Sequence, residues 1–129
     1  MSNARNIANL PNGDDAPLYA CRAFVNFNGN SGTAGDNKTI NDSNNVTSVY
    51  EVSAGIYTIS FESEMPDANY IAIYGGCIDG TLGTVGCYVG TDTQSGVVQT
   101  KSSTQLKIRC AAMNTNTADT VDVSVAIFH

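Results

Sequence analysis

The chain has 129 residues and a formal net charge of -6, a length that suits one domain with one core. Phosphate binding needs clustered cations, and Arg5, Arg22, Lys38, Lys101, Lys107 and Arg109 supply none, so nucleic acid is not an expected partner. No apolar run approaches the ~20 residues of a membrane-spanning helix, and membrane insertion is not expected either.

Asn, Thr, Ser and Gly together number 50, leucines only four. No segment keeps helical periodicity over three turns, which predicts an all-β chain rich in turns. Residues 1–17 are polar, carry Pro11 and Pro17, and read as an extended arm or linker without a signal-peptide h-region. The core is expected to begin at Leu18, giving one domain over 18–129.

The first strand, 18–28, contains "CRAFVNFN". One face carries Cys21, Ala23, Val25 and Phe27, the other Arg22, Phe24, Asn26 and Asn28, and Asn28-Gly29 ends the run as a turn. A polar stretch over 29–44 follows and reads as a long loop. Further strands are expected near 45–52, 56–62, 69–78, 84–90, 96–101, 104–112 and 120–128. The last is the clearest, with Val121, Val123, Val125 and Ile127 on one side and Asp122 and Ser124 on the other. Short strands with regular turn signals predict a single-domain antiparallel β-sandwich of jelly-roll-like form. In "YIAIYGGCI", Tyr70, Ala72 and Tyr74 oppose Ile71 and Ile73. Such a strand lies under a covering loop or packs its second face on another subunit.

The supply of catalytic groups is poor, and no enzyme is expected. The only histidine is His129, the last residue, a weak candidate for a general base. Glu62 and Glu64 share a strand face at i, i+2 and could serve glycosidic chemistry as an acid and nucleophile, but solvated strand-end carboxylates are far commoner. "YGGCIDGTLGTVGCYVG" is glycine-rich without a following helix, so it is not a phosphate cradle. Cys21, Cys77, Cys87 and Cys110 form no CxxC or CxxH pair, which speaks against zinc. They read as small buried hydrophobes, with a Cys77 to Cys87 bridge across a hairpin as the rival. No metal and no cofactor is expected. The glycosylation triplets at Asn37, Asn41 and Asn45 read as chance in an Asn-rich chain. Six tyrosines leave one or two for a ligand once core and subunit contacts are served.

Two quoted stretches carry a resemblance. "ACRAFVNFNG", followed by "NVTSVYEVSAGIYTISFESEMPDANYIAI", resembles a domain recurrent at the C-terminal ends of bacteriophage tail fibre and related virion proteins, whose members read "cRaWvNFnG", "NVSSV", "GxYtvtF" and "MPdanY". It covers about residues 17–75, and "VNFNG" with "MPDANY" is specific as a pair. Phe24 stands where the family often has tryptophan, and the 29–44 stretch is long. The resemblance implies a fibre or appendage tip of the virion, made in the bacterial cytoplasm, homotrimeric and involved in host attachment. It brings no catalytic residues.

On that reading Arg22, Phe24, Tyr70 and Tyr74 belong to a subunit contact. The alternative for Arg22 is a solvent-facing pair with Asp67 or Glu64. A host cell-surface saccharide or protein would be held in the loops, with Asp36, Asn37, Asp79, Asp92 and Asn114 as candidates. A second reading is a structural trimerisation or capping unit with no ligand of its own.

Overall fold

The computed structural model describes residues 21–77, 85–88, 101–112 and 120–129. Among them the chain is all β, with no helix. Eight strands run in the order β1 (Cys21–Asn28), β2 (Thr39–Asn44), β3 (Val46–Ser53), β4 (Ile56–Phe61), β5 (Ile71–Cys77), β6 (Val85–Tyr88), β7 (Gln105–Ala112) and β8 (Asp122–Phe128). They form two four-stranded antiparallel sheets, β2-β1-β8-β5 (sheet A) and β3-β4-β7-β6 (sheet B). The arm expected over 1–17 and the strand expected over 96–101 lie outside the described residues, apart from Lys101, which bridges to Leu106.

Period-2 alternation aims every second side chain at the other sheet. Sheet A contributes Ala23, Val25, Phe27, Val123, Val125 and Ile127, and sheet B contributes Val49, Tyr57, Ile59, Phe61, Leu106, Ile108 and Cys110. Phe27 meets Tyr57 edge-to-face across the gap, with ring centroids 5.1 Å apart, an arrangement that adds to the value of the area buried. The Tyr57 hydroxyl donates to the Gly29 carbonyl at 3.3 Å, so the ring anchors the end of β1 as well as filling the core. Its close approach also explains Gly29. A Cβ there would stand 2.5 Å from the Tyr57 hydroxyl and 2.6 Å from the Thr120 carbonyl oxygen.

Three expectations change. The stretch 29–44 is not one loop, because Thr39–Asn44 pairs with β1 as the edge strand of sheet A. Cys21 is exposed and does not share the buried face of β1, since the register shifts between Cys21 and Ala23 and turns Cys21 outward opposite Phe128. Nor do the fifth and sixth strands form a hairpin. Strand β5 pairs with β8 and β6 with β7, so Cys77 and Cys87 stand in different sheets, and Cys87 is opposite Cys110. Cys21 carries a free thiol.

The chain passes from sheet A to sheet B through one residue. Asn45 lies between β2 and β3 with φ at 56°, a left-handed conformation that asparagine tolerates better than most residues. Its amide nitrogen donates to the carbonyls of Arg22 (3.3 Å) and Ser63 (3.1 Å), while its side-chain oxygen accepts from the Ser63 amide at 2.6 Å.

Candidate functional site

Residues 29–38 leave β1, turn twice and return along the edge of β3. Both turns use glycine where φ is positive, Gly32 at 70° and Gly35 at 91°. Backbone bonds tie the return leg to β3: Gly35 donates to the Glu51 carbonyl at 2.9 Å, Glu51 donates to the Asp36 carbonyl at 3.1 Å, and Lys38 donates to the Val49 carbonyl at 2.7 Å. Between them Asn37 and Tyr50 are directly opposed. Lys38 and Glu51 therefore point inward, and Asn37 and Tyr50 outward.

Inside, the Lys38 ammonium pairs with the Glu51 carboxylate. It also donates to the carbonyls of Ser31 (2.6 Å) and Thr33 (3.2 Å). One buried cation thus gathers both turns onto β3, and its bonds supply the partners that a desolvated charge requires. Outside, the Asp36 carboxylate accepts from the Thr33 hydroxyl at 2.8 Å and the Thr33 amide at 3.4 Å. These bonds, with a smaller contribution from the nearby Lys38 charge, hold its carboxyl below the usual aspartate range. The first part of the stretch read as a long polar loop is thus a braced turn.

Asp36 and Asn37 are brought together on this turn, both exposed. Tyr50, which the sequence does not single out from the other tyrosines, joins them at 41% exposure. Among the described residues its hydroxyl has no hydrogen-bond partner, and neither does the Asn37 side-chain amide. Asp79, Asp92 and Asn114 lie outside the described residues.

The outer face of sheet A has a different character. Phe24 on β1 is opposite Ala126 on β8, which is opposite Ile73 on β5, and the next row runs Cys21, Phe128, Ile71. Phe24 is 37% exposed, Ile73 61% and Ile71 66%, so the two rows make a contiguous apolar patch. Toward the other end of the sheet the face turns polar. Asn26 donates to Asp122 (2.5 Å) and Ser124 (2.9 Å) and accepts from Asn41 (2.7 Å).

Two of the four expected contact residues do not belong to this patch. Tyr70 is a core residue, 1% exposed, edge-to-face with Phe61 at 5.8 Å, and burial pushes its phenol up to about 12. Tyr74 is half-buried and packs on the core. Both point inward because they alternate with Ile71 and Ile73, which take the outer positions. Arg22 is half-buried, with Nε donating to the His129 carbonyl at 3.4 Å. The His129 ring meets the Asp67 carboxylate at 3.0 Å, so the terminal histidine has a structural contact.

Glu62 and Glu64 are both exposed, and among the described residues no three metal-ligating side chains come together. No family model, curated protein or solved structure matches this chain.

Proposed function

We propose that this chain is the distal domain of a bacteriophage tail fibre, a jelly-roll-like homotrimer of the virion that recognises a saccharide or protein on the host cell surface. The observation that carries the reading is the division of labour between its two ends and faces. The outer face of sheet A offers Phe24, Ile71 and Ile73 to water, a cost a free monomer gains nothing from and a second subunit would remove. Sheet B ends in a turn that presents Asp36, Asn37 and Tyr50 on a fixed backbone, the arrangement that rigid β scaffolds use for recognition. The likeness of "CRAFVNFNG" and "MPDANY" to tail fibre tips supplies the biological setting.

Individual contacts of this kind are weak, and three copies would act together through effective concentration. Light scattering tests the assembly, with about three times the 13.5 kDa chain mass expected. Adsorption to host cells tests the recognition and should fall when Asp36 or Asn37 is changed to Ala at unchanged mass. Wild-type adsorption by both variants of an intact trimer favours the second reading, a capping unit whose apolar patch is its whole function.

A further inference from the structure

The strand register of sheet B continues the Asn37 and Tyr50 pair across the outer face. Tyr50 is opposite Thr58 on β4, and Thr58 is opposite Lys107 on β7. Directly opposed residues point the same way, so Asn37, Tyr50, Thr58 and Lys107 form one row across three strands and the braced turn. At ~4.8 Å per strand the row spans roughly 14 Å. It presents an amide, an aromatic ring with a hydroxyl, a second hydroxyl and an ammonium. Among the described residues the Asn37 amide, the Tyr50 hydroxyl and the Lys107 ammonium have no hydrogen-bond partner. The adjoining row on one side, Ser48, Ser60 and Gln105, is polar as well, whereas on the other side Ile56 and Arg109 are opposed and buried, so the wet part of the face is these two rows.

The geometry points to an oligosaccharide-binding row on this face, directional in charge: a sugar ring stacks on Tyr50 beside the Asn37 amide, and a unit bearing a carboxylate or phosphate lies over Lys107. This deepens the receptor-recognition reading and rests on it for its biological meaning. Tyr50 offers the apolar ring face and hydroxyl that a sugar's mixed surface matches. Asp36, exposed at one end, repels an acidic unit there, while Lys107 attracts it at the other. Lys38 lies closer in sequence but its charge is consumed inside by Glu51, so Lys107 is the cation that the row presents.

The test uses the isotope-labelled full chain titrated to millimolar concentration with two probes, a hyaluronan hexasaccharide, which carries carboxylates, and fully N-acetylated chitohexaose, which carries no charge. Amide shifts are expected at Asn37, Tyr50, Thr58 and Lys107, with the acidic probe binding more tightly. Tyr50→Ala should weaken both probes on the order of tenfold. Lys107→Gln should equalise them, leaving chitohexaose unchanged. Thermal midpoints within a few degrees of wild type show that the variants fold, as expected for an exposed Tyr50 and a half-buried Lys107 on the outer face. Shifts that map to Phe24 and Ile73, no shifts with either probe, or a Lys107→Gln chain that still prefers hyaluronan would each overturn the row. Host adsorption reports separately: a chain that adsorbs but leaves the row silent retains the tail fibre reading and loses this one, and a chain that binds sugar in the row without adsorbing does the reverse.

Discussion

Lys38 and Glu51 form an ion pair in which each side chain is only 1% exposed, beneath a surface turn. Removing one partner leaves a buried charge, whereas removing both leaves apolar surface. Lys38→Met is therefore expected to destabilise the fold by about 3–5 kcal/mol, and the Lys38→Met, Glu51→Leu double variant to recover most of that. Urea denaturation of the four-member cycle measures it. In Lys38→Met, hydrogen exchange should also quicken over residues 29–37, because the carbonyls of Ser31 and Thr33 lose their donor.

The Asp36 carboxyl should titrate below the usual aspartate range in a carbon-detected NMR titration, because Thr33 donates to its ionised form. Thr33→Val should move it back toward that range. The folded value lies below the unfolded one, so the contribution to stability is complete above the ordinary aspartate pKa and is lost as pH falls through the lower, folded value. Asp67 is held low in the same direction, chiefly by the Asn69 amide and then by His129.

Gly29→Ala should cost about 1–3 kcal/mol, the usual range for overpacking, since the new methyl group meets both the Tyr57 hydroxyl and the Thr120 carbonyl. Adding Tyr57→Phe should return only part of the loss, because the backbone carbonyl stays in place. Thermal midpoints of the single and double variants decide it.

Phe24→Asp and Ile73→Asp alter exposed positions, so circular dichroism should keep its β signature. In the proposed trimer they place a charge in a desolvated contact, which costs several kcal/mol, and light scattering should fall to the 13.5 kDa of one chain. An unchanged trimer mass in both variants would move the subunit contact to another face.

Strands whose buried side chains alternate cleanly were legible. Val123, Val125 and Ile127 of β8 are buried as the period-2 pattern predicts, and so are Ala23, Val25 and Phe27 of β1. Strand β2 was not, because "TINDSN" carries a single apolar residue, Ile40, and an edge strand can be polar without losing its pairing. Nothing local marks Lys38 as interior, since lysine is almost never buried unless paired and its partner is thirteen positions away. The row from Asn37 to Lys107 depends on registers between four separate segments, which no single stretch encodes. Tyr70 and Tyr74 illustrate a subtler failure: the two-faced apolar character of "YIAIYGG" was readable, but which face met the core was not, and the isoleucines took the outside.

The corner at Asn45 gives the chain no slack between its sheets. A residue added there leaves β3 in phase with β4, because the hairpin from Ser53 to Ile56 sets that register, but it displaces the side chain that bonds to Arg22 on one sheet and to Ser63 just past the other. Changes in chain length at this joint are thus felt at the seam between the sheets and not inside either one. A graft, tag or reporter inserted between positions 44 and 46 would have to keep that brace, or leave this end of the sandwich unlatched.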